Sequence, residues 1–248
     1  MDNYKTVIGI ICTLTAVVFG LITGMLVKKV GTDVTVITTL FYRFLFSIPL
    51  LLIFAIIARR AKFLQINQKR TLFLRILFGF SGITFWFLAV RAMPLGQATT
   101  LFQSSVIFVT LLSPILLNET VGRFRWTAVI TGLIGIIIVT NPFSANISFS
   151  VIYGILAAFS GAILAITLRH LGRSDSPSSI ALWYNFSGAV IMAAVILIIP
   201  HQLSRISGQI LLDLILLGIV ASVLQIFFTT AYKYLDAVVV SSLRYIQI

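Results

Sequence analysis

Arg244 stands where a charge is costly. It lies some eight residues into an apolar helix that begins near Ala237, about 12 Å deep at ~1.5 Å of rise per residue. At that depth an arginine costs about 2.5–3.5 kcal/mol on insertion scales, so it turns away from lipid. Facing a cavity, it would meet a carboxylate, phosphate or carbonyl of a bound molecule. The alternatives are an arginine held by backbone carbonyls, or one snorkelling from a shorter helix. The cavity reading is favoured. A second constellation is a polar stripe. Thr99, Gln103 and Thr110 share nearly one face of a helix starting at Leu95, with Thr100 and Ser113 beside them. Spacings of four, seven and three residues keep such a stripe together. The later apolar run offers Ser241, Ser242 and Tyr245 at corresponding places, and Trp86, Gln225, Thr229 and Tyr232 are candidate neighbours. Such groups either line a wet cavity or hydrogen-bond between helices at about 0.6 kcal/mol per pair. Because two helices offer them alike, cavity lining is preferred. For Trp86 an interfacial anchor is the alternative.

Other chemistries are missing. No G-x-x-x-x-G-K-[ST] loop exists to hold a nucleotide triphosphate. His170 and His201 fall in loops on opposite sides, and Cys12 is the lone cysteine. No zinc site, catalytic nucleophile or resident cofactor is therefore expected. No carboxylate lies near a span centre: Asp33, Glu119 and Asp236 sit at ends, and Asp213 about one turn inside. Facilitated diffusion or exchange is thus expected over proton coupling.

The elements positioning these residues must be membrane helices. Hydrophobic residues make up 59% of the chain and charged residues 10%, against roughly 45–50% and about 25% in soluble domains. So much apolar surface needs lipid as solvent. The net charge of +12 sits between apolar runs, the pattern of membrane anchoring rather than of nucleic-acid binding. Spans are expected at Thr6–Val27, Val34–Ala58, Thr71–Val90, Leu95–Leu117, Phe124–Thr140, Phe149–Leu168, Ser178–Ile199 and Ile210–Tyr232, with a ninth from Ala237. Pro49 and Pro114 interrupt two of them, more simply as kinks than as hinges. Small residues at helical spacing (Gly20 and Gly24; Gly154, Ala158, Gly161 and Ala165) read as close packing inside the bundle. Oligomeric state is left open, a homodimer included. Alternate loops carry unequal charge: eleven Lys and Arg on one side and four on the other. The positive-inside rule then puts the amino terminus in the cytoplasm of a cell whose inner membrane holds the protein.

The chain repeats itself. Ala89–Leu101 is echoed by Ala231–Leu243, and Leu40–Phe44 by Leu182–Phe186, both at an offset of 142 residues. Lys28–Gly31 answers Arg169–Gly172 at 141. A period this long means two domain-sized halves, 1–141 and 142–248. Five spans per half is an odd number, so the halves must enter the membrane in opposite senses, as in many secondary transporters. The fold class is all-α integral membrane: a ten-helix inverted-repeat bundle with about nine helices in this chain, which reads as C-terminally truncated. Arg43, whose repeat counterpart is the neutral Asn185, is expected to make a structural contact. Glu119 is expected to be structural, by an i,i+4 pair with Arg123.

Several runs resemble the EamA-type transporters of the drug/metabolite transporter superfamily. These are Phe41-Tyr42-Arg43-Phe44, the Pro94-Leu95-Gly96-Gln97-Ala98 start of the fourth helix, the Ser113–Glu119 exit and Thr131–Gly135. The resemblance implies a central cavity between the halves and alternating access for small polar organic metabolites, amino-acid-like or nucleoside-like. It also implies that Glu119 holds neighbouring helix ends together. Leu243–Gln247 is closer to a branch that includes S-adenosylmethionine uptake carriers. A lipid-processing membrane enzyme would need clustered His, Asp or Glu at one membrane face, which the sequence lacks. A non-transporting scaffold should lack a polar cavity.

Overall fold

The computed structural model describes residues 3–31, 34–59, 62–140, 150–204 and 206–247. Lipid offers the backbone no hydrogen-bond partner, so each apolar run closes its own ladder as a helix. In chain order these are α1 (Asn3–Val30), α2 (Val36–Arg59), α3 (Lys69–Ala92) and α4 (Leu95–Leu117). They continue with α5 (Arg123–Thr140), α6 (Ser150–Gly172), α7 (Pro177–Ile198), α8 (Gly208–Tyr234) and α9 (Ala237–Leu243). Among the described residues, seven helices are long and apolar enough to cross a membrane; α5 and α9 are the shorter two. Leucines and isoleucines such as Ile57, Leu77, Ile115 and Leu197 stand exposed on the outside of the bundle, as lipid-facing positions should. Asp33, Arg60, Arg205 and the 141–149 connection, where the sequence puts the boundary between halves, lie outside the described residues.

The two halves run in opposite senses. Helix α1 packs along α8 with Gly9 against Leu235 and Lys29 against Asp213, hence antiparallel. Helix α3 packs along α6 in the same way, with Gly82 against Ser160 and the adjoining Asn67 bound to Asp175. The carboxyl ends of α1 and α3 meet, since Lys28 binds the Val90 and Met93 carbonyls, so these two helices point alike. It follows that α6 is inverted relative to α1. The exchange of halves turns the α1–α8 contact into the α6–α3 contact and the α2–α7 contact into itself. This is the expected inverted repeat, and it leaves Arg91 and Lys233 at opposite ends of the bundle.

Two helices differ from a continuous reading. Helix α4 breaks at Ser104, between Leu95–Gln103 and Ser105–Leu117. The Ser104 N–H is shared between Thr100 O and Leu101 O, and its Oγ donates to Leu101 O at 2.6 Å. A serine competing for backbone carbonyls tightens a helix in this manner. Helix α9 likewise stops after Leu243 and continues as a 3₁₀ turn over Arg244–Gln247. Arg244 therefore sits at a helix break rather than inside a helix, and Gln103 Nε2 donates to the Arg244 carbonyl exposed there. Broken helices at depth are tolerated where they border a cavity.

Candidate functional site

A cavity of about 110 Å³ lies between the halves. Its wall is drawn from equivalent positions of both. Gly20 pairs with Gly161 and Thr23 with Leu164 at the 141-residue offset, and both members of each pair line it. At the 142-residue offset, Gly82 pairs with Leu224, Ile83 with Gln225, Trp86 with Phe228 and Phe102 with Arg244; all eight residues line it too. The cavity thus lies on the pseudo-two-fold relating the halves. Ala16, Val17, Arg43, Gly79 and Tyr184 line it without a lining counterpart, and within the pairs the polarity differs. In three pairs an apolar member faces a polar one: Leu164 and Thr23, Ile83 and Gln225, Phe102 and Arg244.

The polar groups gather at two corners. At one, the Arg244 guanidinium carbon lies 4.9 Å from the Phe102 ring centre and 5.2 Å from that of Phe228, and Tyr232 is within interaction range. Aromatic faces attract a cation most when it is desolvated. At the other corner Arg75, which does not itself line the cavity, stands behind Tyr184 and Gln225, stacking on the first at 3.9 Å and donating to Oε1 of the second at 3.0 Å. Tyr184 is fixed in turn, its hydroxyl donating to the Gly79 carbonyl at 3.0 Å. Arg43, over the Phe44 ring at 4.7 Å, also reaches Tyr184 and lines the cavity. Arg43 is 1% and Arg75 0% exposed. Nε and Nη1 of both arginines have no hydrogen-bond partner among the described residues.

Of the residues expected at the cavity, Arg244, Trp86 and Gln225 line it. The other six stand in the layer behind. Thr99 and Thr100 turn their hydroxyls back onto Leu95 O and Gly96 O, and Gln103 holds the α9 break. Ser241 contacts the Tyr232 hydroxyl at 3.3 Å. Tyr245 packs on Gly132 and reaches the Val129 carbonyl, while Thr229 is fully buried with its hydroxyl unpaired. Arg43, expected as a structural contact, faces the cavity. Pro49 and Pro114 sit inside α2 and the second segment of α4. Sequence reasoning missed the lining residues Tyr184, Phe102 and Phe228, and Arg75 behind them. The signal for Arg75 was available: it is an arginine within an apolar run with no acidic residue three or four positions away.

Each end of the bundle carries a latch, and the two are repeat equivalents. Lys28 Nζ binds Val90 O and Met93 O at 2.9 and 3.2 Å. Its counterpart Arg169 binds Tyr232 O and Lys233 O at 3.2 and 3.3 Å. The Arg169 latch has more. Its Nε meets Glu119 Oε1 at 2.7 Å and its Nη2 meets Asp236 Oδ1 at 2.8 Å. Glu119 Oε2 accepts the Ala237 N–H that opens α9, and Arg173 approaches at 3.6 Å. Glu119 thus joins α4, α6 and α9, so its partner is Arg169 and not the anticipated Arg123. The end of α4 is closed at Asn118, in the left-handed region at φ 53°, a common helix stop, and the Glu119 N–H turns back to Ser113 O.

Two inverted halves closing a cavity at depth, with a latch at each end, define a multi-pass carrier of small molecules. The sequence profile of the EamA-like transporter family matches residues 7–141 and again 148–248. The chain belongs to that family, within the drug/metabolite transporter superfamily, whose members transport small molecules and are not enzymes. It is 28% identical over 250 residues to an S-adenosylmethionine uptake transporter of Rickettsia prowazekii (strain Madrid E), covering 100% of this chain and 83% of that protein. A riboflavin transporter of Rhizobium johnstonii is 27% identical over 201 residues, 79% of this chain and 63% of that protein. A solved crystal structure superposes with a TM-score of 0.72 at 17% identity, covering 100% of this chain and 86% of that one, which shows the fold.

Proposed function

We propose that this carrier moves a small polar organic metabolite, amino-acid-like or nucleoside-like, across a bacterial inner membrane by alternating access. The amino terminus is cytoplasmic, so the Arg169 latch closes the inner side and the Lys28 latch the outer. The observation carrying this reading is the cavity on the pseudo-two-fold, with Arg244 and Gln225 set into an apolar frame. A cavity of about 110 Å³ is far below the ~300–1,000 Å³ of typical ligand pockets. Substrate entry therefore requires the halves to part, as rocking about a fixed site would do. S-adenosylmethionine-type uptake is the specific form supported best, because that relative aligns along the whole chain. No carboxylate lies among the cavity-lining residues, which supports exchange or facilitated diffusion over proton coupling. Counterflow in proteoliposomes with S-adenosylmethionine, riboflavin and an amino-acid panel tests the reading. Arg244→Ala should abolish the counterflow that wild type shows. Full activity in that variant would refute the role given to Arg244, and absence of counterflow in wild type would refute the substrate range.

A further inference from the structure

We infer that the substrate of this cavity carries an anionic oxygen group, a carboxylate or a phosphate, bound at the corner that Arg43 lines and Arg75 backs. This deepens the carrier reading and rests on it. Two arginines lie within repulsion range of one another, both essentially without solvent contact. The chain has six acidic residues in all, and none lines the cavity. Glu119, Asp175, Asp213 and Asp236 occupy the ends of the bundle, where the first, third and fourth are engaged by Lys29 or Arg169 and Asp175 by Asn67. Asp2 and Asp33 stand outside the predicted spans. A buried like-charge pair with no counter-ion among the described residues is unfavourable by itself and gains from an anionic ligand.

The corner is also built to present donors. Tyr184 supports one arginine by stacking, and Gln225 fixes a single Arg75 nitrogen. Four guanidinium nitrogens, Nε and Nη1 of each residue, are left without partners. Nε and Nη1 point to different sides of a guanidinium, so each offers a single charge-assisted donor of the kind that binds an oxygen of a carboxylate or phosphate. At Gly79 an added Cβ would fall 2.1 Å from Arg75 Nη1 and 2.9 Å from the Tyr184 ring. A side chain there would occupy the guanidinium's place. Arg244, held between two rings, bounds the same cavity and suits a second acceptor of the substrate.

The test uses the purified full chain and matched probes: adenosine 5′-monophosphate against adenosine, and methionine against methioninamide. Anionic probes should raise the unfolding temperature saturably at constant ionic strength, and their uncharged-oxygen partners should not. Arg43→Gln and Arg75→Gln should each raise the half-saturating concentration at least tenfold. Arg75→Lys keeps the charge without the guanidinium and should lie between. Arg91→Gln, at the bundle end, should respond like wild type. Equal stabilisation by both members of a pair, no saturable response to either anion, or an undiminished response in Arg75→Lys and Arg75→Gln would overturn the assignment. Nanodiscs with and without phosphatidylglycerol separate the sources. Stabilisation by that lipid that depends on Arg43 and Arg75 would make the site a headgroup site and would overturn a soluble substrate. A cysteine at Ile83, in a Cys12→Ala background, reports independently on a wet cavity. If it labels while the anions fail, the substrate class falls and the carrier reading stands.

Discussion

Replacing Glu119 by glutamine should loosen the Arg169 latch. The side chain keeps its shape and can still accept from the Ala237 N–H, so the change isolates the charge. Glu119 is 8% exposed, and its bond to Arg169 at 2.7 Å is charge-assisted. Hydrogen bonds to charged groups are worth about 1.5–3 kcal/mol and neutral ones about 0.5–1.5. Asp236 stays on Arg169 as second partner, so the net loss is about 1–2 kcal/mol. Spread over the equilibrium between latched and open states, that is a change of about 5–30-fold in population. Val238, fully buried at the start of α9, sits behind the latch. In a Cys12→Ala background, a cysteine at 238 should react with a membrane-impermeant thiol reagent at least fivefold faster in Glu119→Gln than in the parent. The reagent is applied from the side bearing the amino terminus. Lys28→Met, at the far latch, should not speed that reaction. If the rate changes less than twofold while the variant stays folded, Glu119 contributes stability only and the latch is not a gate.

Cysteines at Ala92 and Tyr234, next to the paired Arg91 and Lys233, should label from opposite sides of the membrane. Labelling from one side would dismantle the inverted repeat. Gly218→Leu should destabilise the bundle by about 1–3 kcal/mol in a chemical unfolding titration, because a Cβ there falls 2.4 Å from Phe46 Cβ and 2.9 Å from its backbone carbon. An unchanged midpoint would show that α2 and α8 can separate freely. Trp86→Ala and Phe228→Ala, equivalent walls of one cavity, should raise KM by comparable factors. The factor is about tenfold if each removes ~1.4 kcal/mol of contact. An effect confined to one would argue that only one half meets the substrate. An imposed pH gradient should not drive accumulation in proteoliposomes; accumulation would reveal a proton carrier elsewhere in the chain.

The fold was legible because its determinants are long and local. Apolar runs of membrane length are unambiguous, and the Lys28, Tyr42 and Arg91 windows recur at offsets of 141, 142 and 142 residues. The cavity was less so. Arg244, Trp86 and Gln225 were reached through the cost of burying polarity and through helical spacing. The threonines of the stripe stand behind the cavity wall, where a threonine in a helix can satisfy its hydroxyl on its own backbone, as Thr99, Thr100 and Thr110 do. Arg75 escaped because it stands near the start of α3, six residues after Lys69, where an arginine reads as an interfacial anchor. Its burial depends on Tyr184, more than a hundred residues away in sequence. The breaks after Gln103 and Leu243 left no proline or glycine to announce them.

The paired positions in the cavity wall have a consequence for how such a protein changes over generations. Each pair holds two copies of one location, so in the proposed carrier a mutation in one member revises what the pocket recognises while its twin stays as it was. Phe102 and Arg244 show the division carried through, one keeping a flat ring and the other supplying a cation. Selectivity can therefore drift one side at a time without the two halves ceasing to fit each other, and a single scaffold can pass from one cargo to another by half-steps.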